Sequence, residues 1–174
     1  MRIANRFIAL PVAAGDWYHQ LRATAPPGVR PIDAADLHVT LLFLGCGRRA
    51  LAQRTLARLQ ADPPPQPPDP RLGAPAVFGG SRASACGYDL DGVAGLIAWL
   101  NQHRTALLAA AGAAVDTRPP RPHLSIARPG DVPEADVLQW LAGGCGEAIR
   151  LAAPVLYQNA PPGVRPRYRL ITGH

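Results

Sequence analysis

Two short stretches of this chain read as copies of one another, and nothing else constrains its fold as tightly. The first runs His38-Val39-Thr40-Leu41 into Leu42-Phe43-Leu44-Gly45; the second runs His123-Leu124-Ser125-Ile126 into Ala127-Arg128-Pro129-Gly130. Each is histidine, apolar, small hydroxyl, apolar, and each runs into a turn at glycine. Such alternation is the pattern of a strand with one face buried and one face wet. The copies stand 85 residues apart in a chain of 174. The expectation is therefore two matching halves that bring their histidines together as an acid/base pair.

In a strand, alternate side chains share a face. His38 and Thr40 then point one way, and Val39, Leu41 and Phe43 point the other way, into a core. His123 and Ser125 share a face in the same manner, with Leu124 and Ile126 behind them. Each strand offers an imidazole with a hydroxyl ~7 Å further along. Side by side, the two strands would present two imidazoles and two hydroxyls.

The elements around them follow from local patterns. Arg6 to Val12 reads as a first strand. Gly15-Asp16 starts a helix over Trp17 to Thr24. Residues 26–31 form a loop, and Leu37 to Leu44 is the first histidine strand. A helix from Ala50 to Gln60 has Ala52, Leu56 and Leu59 on its apolar face. Asp62 to Pro70 holds six prolines in nine residues, which excludes helix and central strand and predicts a stiff crossover between lobes. Leu72 to Phe78 and Ala83 to Leu90 read as strands joined at Gly79-Gly80. A long helix spans Val93 to Ala111, with Leu96, Leu100, Leu107 and Ala111 inward and Gly112 as its stop. After the second histidine strand, a short helix begins near Asp131-Val132-Pro133-Glu134 and ends at Gly143-Gly144. Strands over Ala148 to Gln158 and Arg167 to Thr172 close the chain. Turns too short for parallel crossovers join several neighbours, which favours an α+β fold with largely antiparallel sheets. One exact repeat, Pro-Pro-Gly-Val-Arg-Pro, occurs at 26–31 and 161–166. Its spacing differs from that of the histidine copies, and it reads as two similar turns.

Composition excludes several classes. At 48% hydrophobic and 17% charged residues, the chain can bury a core, so disorder is excluded. No apolar run has the length of a membrane span, and the N-terminus lacks a signal-peptide layout; the expected location is cytoplasmic. Cys46, Cys86 and Cys145 lack C-x-x-C spacing, so neither a disulfide framework nor a cysteine zinc site is expected, and all three read as small buried or half-buried side chains. The net charge of +6 is carried by arginine without any lysine. Spread along the chain, it is compatible with RNA without singling it out.

Two histidines and two hydroxyls suit phosphoryl chemistry without a metal or other cofactor. One imidazole takes a proton from the attacking water, and the other gives one to the leaving oxygen. Histidine fits because its ordinary pKa, ~6.5, lets one ring be neutral and the other charged. A zinc site on His38 and His123 would need a third protein ligand that no H-x-x-x-H or H-x-H spacing supplies. His19 and His103 fall on helices and His174 ends the chain; all three are assigned to surface or packing.

At these residues the chain resembles the two-histidine phosphoesterase superfamily, with its paired H-x-T/S-x motifs, and within it the bacterial and archaeal RNA 2′,3′-cyclic phosphodiesterases, long called 2′-5′ RNA ligases. H-V-T-L-L-F-L-G and R-P-H-L-S-I-A-R carry the resemblance, Arg6 to Pro11 is similar to the family's opening strand, and Arg167 to Leu170 to its closing one. Ser81 to Gly92 is the least family-like part. The resemblance implies a single domain over residues 1–174, bilobal and α+β, with two pseudo-symmetric antiparallel sheets, outer helices and a central cleft. It implies hydrolysis of a terminal RNA 2′,3′-cyclic phosphate to a 2′-phosphate; the chain itself is expected to be a monomer. His38 would be the general acid and His123 the general base, with Thr40 and Ser125 holding the phosphate. Arg128 matches an arginine after the family's second motif and would add a cation, although strict alternation puts it on the face opposite His123. A stacking ring for the base is expected among Phe7, Phe43, Tyr88, Tyr157 and Tyr168. The alternatives are a small cyclic nucleotide as substrate, 2′-5′ ligation of RNA ends by the same histidines, and a non-catalytic RNA-binding module.

Overall fold

The computed structural model describes residues 4–80 and 83–171. In chain order the elements are β1 (Arg6–Pro11), α1 (Asp16–Ala23), β2 (Arg30–Pro31), β3 (His38–Gly45), α2 (Arg49–Ala61), β4 (Arg71–Phe78), β5 (Ala85–Asp91), α3 (Ala94–Ala110), β6 (His123–Arg128), α4 (Glu134–Leu141), β7 (Val155–Asn159) and β8 (Tyr168–Leu170). The eight strands line up as β4-β5-β6-β3-β1-β7-β8, with β2 against β6, and every pairing is antiparallel. The fold is α+β.

The order contains a duplication. Leaving β2 aside, β1-α1-β3-α2-β4 and β5-α3-β6-α4-β7 follow the same path. Each path lays two strands in one half of the sheet and its third strand in the other half, next to the first strand of the other path. The proline-rich segment 62–70 makes the first of these crossings, from α2 to β4. The halves meet where β3 lies beside β6, through the single residue pair Val39 and Leu124. Both side chains are wholly buried, each worth about 2 kcal/mol in water-to-core transfer. The two sheets expected from the sequence are thus joined at one point, at the histidine strands.

On the other side of β6, the close approach of β5 depends on Gly87. A Cβ there would sit 1.9 Å from the carbonyl oxygen of Leu124, so any side chain would push β5 off β6. Behind the sheet, α2 lies over β1 and β7, α3 over β3, and α4 over β4 and β5. The core runs continuously from Ile8 and Leu10 through Val39 and Leu124 to Val137 and Leu141. A smaller apolar cluster of Phe7, Ala9 and Tyr157 sits apart from it.

Three expectations about the elements need correction. Residues 148–154 are not strand: Ala148 and Leu151 form isolated bridges only, and the strand begins after Pro154, whose missing N–H cannot join a ladder. Residues 30–31, expected in a loop, pair with β6. Cys46 and Cys145 are exposed and only Cys86 is buried, where burial pushes its thiol up to about 12. The closing strand ends at Leu170, and Thr172 and His174 lie outside the described residues.

Candidate active site

The seam fixes which face the motif residues share. Val39 and Leu124 stand opposite one another and point into the core. The flanking residues His38, Thr40, His123 and Ser125 therefore all project from the other face. Because the strands are antiparallel, this register sets His38 across from Ser125 and Thr40 across from His123. Each imidazole thus has the opposite strand's hydroxyl across from it as well as the hydroxyl two residues along its own strand.

Both imidazoles are held in the same way. His38 Nδ1–H donates to the carbonyl oxygen of Asp36 at 2.7 Å, and His123 Nδ1–H donates to that of Arg121 at 2.8 Å. A carbonyl oxygen can only accept, so Nδ1 carries the proton in each ring and Nε2 is left for a substrate. The bonds repeat at the same offset, two residues before each histidine.

Strict alternation fails just past the hydroxyls. Thr40 pairs with Ala9 but Leu42 pairs with the adjacent Ile8; Ser125 pairs with Gly87 but Ala127 with the adjacent Cys86. At the same place in the repeat each histidine strand carries an extra residue, a bulge, and β3 has a second irregularity further on, between Phe43 and Gly45. Two buried residues in a row mark it, Leu41-Leu42 and Ile126-Ala127. The bulge returns the fifth residue after each histidine to the histidine face. Arg128 thus joins the side of His123, against strict parity. Phe43, expected in the core, is 58% exposed and occupies the position in the first copy that Arg128 occupies in the second.

The environments of the two histidines differ. His38 is half-buried among aromatic rings, with centroids 4.8 Å from Phe7, 5.8 Å from Tyr157 and 5.1 Å from an edge-on Tyr168. Burial lowers its pKa below the ordinary 6.5; Asp36, through its carbonyl and its charge, pulls upward, and the nearby His123 pushes down again. The buried Asp36 carboxylate also accepts from the backbone N–H groups of Arg167 at 2.7 Å and Tyr168 at 3.0 Å, tying the closing strand to the site. His123 has the ring of Phe78 at 4.3 Å. Arg121 makes a two-pronged ion pair with Asp89, at 2.7 and 2.8 Å, and Asp89 stands opposite His123 in the sheet. Asp36, Phe78 and the Arg121–Asp89 pair were not legible as site residues. For Asp36 the available signal was its place two residues before a strand histidine.

His19 is exposed and His103 packs on Trp99 at 4.9 Å, both remote from the seam in sequence and element. Among the described residues no group of three histidine, cysteine, aspartate or glutamate side chains could hold a metal ion, and no helix is long and apolar enough to cross a membrane. Beside the site opens a cleft of about 820 Å³ that touches it at Asp36, Arg128 and Tyr168.

No family model matches the chain, and none of the curated proteins does. Solved structures do. The crystal structure of E. coli LigT complexed with 3′-AMP is 23% identical, with a TM-score of 0.65 over 97% of this chain and 95% of that one. The chain has the LigT fold. A phosphoesterase crystal structure matches at 24% identity and a TM-score of 0.61, over 97% of this chain and 94% of that one, and E. coli LigT in its apo form at 22% and 0.62, over 97% and 95%. These structures share the fold that the resemblance of the paired motifs implied.

Proposed function

We propose that this protein is a metal-independent phosphodiesterase of the two-histidine superfamily that opens the 2′,3′-cyclic phosphate at the end of an RNA. The observation that carries the reading is the pair of equivalent imidazoles at the seam, each with Nδ1–H tied to a carbonyl two residues back. The LigT fold supports it, as does the 3′-AMP that LigT binds in one of the matching structures.

The reaction runs as one in-line displacement. Nε2 of His123 takes a proton from water as its oxygen attacks phosphorus. The bond to the 3′-oxygen breaks, His38 gives that oxygen its proton from Nε2, and a 2′-phosphate remains. Thr40 and Ser125 donate hydroxyl hydrogen bonds to the non-bridging oxygens. Arg128, with its fork of N–H donors, stabilises the charge that develops there. Phe43 is the stacking surface for the terminal base. Phe7, Tyr88 and Tyr157 are buried, and Tyr168 has its backbone tied to Asp36 and its ring against Phe7 and His38.

The low pKa of His38 bears on its role. Burial disfavours the charged ring of His38 and so works against an acid role for the free protein. The anionic phosphate then favours the imidazolium.

The test is turnover of a short RNA ending in a 2′,3′-cyclic phosphate, with 2′- and 3′-phosphate products resolved, beside a mononucleoside 2′,3′-cyclic phosphate and a 2′-5′ joining assay. The expected product is the 2′-phosphate. Exclusive joining, or turnover of neither cyclic phosphate, would overturn the proposal.

A further inference from the structure

The exact repeat Pro-Pro-Gly-Val-Arg-Pro takes no part in the chemistry above, yet its two copies meet in space. Both fold into the same turn. Val29 N–H donates to the Pro26 carbonyl at 3.0 Å and Val164 N–H to the Pro161 carbonyl at 3.2 Å. The third residue of each turn is a glycine with positive φ, 94° at Gly28 and 83° at Gly163. Proline second and glycine third is the sequence that a type II turn demands. Each turn then delivers its arginine, Arg30 or Arg165, to the wall of the same 820 Å³ cleft.

That cleft is basic. Arg128, Arg167 and Arg169 line it with Arg30 and Arg165, against two aspartates. Both acids are engaged by backbone, Asp33 by the N–H of Ala35 and Asp36 by those of Arg167 and Tyr168. Arg30 and Arg165 are exposed, and among the described residues neither has a carboxylate partner. β2 places Arg30 directly opposite Arg128 in the sheet, and both line the cleft, so the cleft adjoins the site. Two exposed arginines without a carboxylate partner among the described residues, lining one cleft with three further arginines, match a chain of phosphates better than a single small anion.

We propose that the two turns form the jaws of a groove for the RNA backbone upstream of the terminal nucleotide, with Arg30 and Arg165 each contacting a phosphate. This rests on the reading of the seam as a site for RNA ends, and it makes an oligonucleotide the preferred substrate over a mononucleotide.

The test is binding, which does not depend on turnover. A fluorescent single-stranded RNA hexamer ending in a 2′-phosphate is titrated by anisotropy across a salt series, against wild type, Arg30→Ala/Arg165→Ala, Arg30→Lys/Arg165→Lys, and Arg54→Ala/Arg58→Ala. The last removes the same charge from the exposed face of α2. Expected for the jaw double alanine variant is an affinity loss of about tenfold and a salt slope shallower by about 1.4, from two lost single-strand phosphate contacts. The lysine variant should regain most of the affinity and the α2 variant should match wild type. Equal losses in the jaw and α2 variants, or an unchanged slope in the jaw variant, would overturn the groove. Hexamer binding that behaves as expected in a protein without cyclic phosphate turnover would sink the catalytic reading and leave the groove standing.

Discussion

The two histidine strands share a motif, a bulge and a carbonyl tether, and differ in almost everything packed around them. His38 sits in a box of aromatic rings over a buried carboxylate. His123 sits at a more open place beside a phenylalanine and an arginine–aspartate pair. Five residues on, the first copy presents a bare aromatic ring and the second a guanidinium. The two imidazoles stand in equivalent poses among different neighbours, and on the proposed function those neighbours divide the work between them. On that reading the aromatic side takes the base and sugar, and the side of Arg128 takes the phosphate.

The largest expected effect tests what the halves have in common. His38→Ala and His123→Ala should each lower the turnover of cyclic-phosphate-ended RNA by on the order of 10²-fold or more, with circular dichroism unchanged. Near-wild-type activity in either variant would break the pairing. The next effects test what separates the halves. Arg128→Ala should cost about 10²-fold in kcat, as loss of a donor to a developing oxyanion does, whereas Phe43→Ala should cost about tenfold in kcat/KM through lost stacking. Phe43→Tyr should restore it, and neither change should shift the urea midpoint, because Phe43 is exposed. If the two alanine variants fall alike on KM alone, the division between phosphate side and base side is wrong.

Asp36 sharpens the comparison from within the fold. Asp36→Ala leaves two backbone N–H groups of the closing strand without their carboxylate, for an expected loss of about 3 kcal/mol in urea unfolding. Asp36→Asn keeps an acceptor and should cost less, while removing the charge that pulls the His38 pKa upward. NMR titration of the His38 ring should then show its pKa lower still in Asp36→Asn.

The smallest effect is on pH dependence, and its sign follows from burial. His38 has a folded pKa below its unfolded 6.5, so the unfolded chain binds the proton more tightly. This histidine therefore contributes stability that is present above pH 6.5 and is lost as pH falls through the lower folded value. In kcat/KM a group that must be protonated loses activity as pH rises past its pKa. With His38 as acid, the alkaline limb should lie below 6.5. An acidic limb there instead, removed in His38→Ala residual activity, would exchange the roles of the two histidines.

Local pattern carried far in this chain. Alternation around His38 and His123 located both strands and their shared face, because a strand with one face in the core leaves its other side chains no choice of direction. Six prolines in residues 62–70 located the crossover, because a chain without N–H donors cannot join a sheet or a helix interior. What alternation could not carry was the bulge. One extra residue in each strand is invisible to a period of two, and it moved Phe43 out of the core and Arg128 onto the histidine face. Nor could the sequence relate residues distant along the chain. Asp36 meets the backbone of Arg167 and Tyr168, and Phe78 meets His123, only after the sheet has formed.

The sequence by itself determined the two motifs, the strands that bear them and the chemistry their side chains can do, since those depend on residue type and short-range periodicity. Tertiary structure alone decided how the copies are used. The antiparallel seam at Val39 and Leu124 set each histidine across from the other strand's hydroxyl, and burial gave His38 a lowered pKa. The same sheet brought two identical turns 135 residues apart in the sequence to one cleft, because contacts between distant segments are made by packing and are not written in either segment.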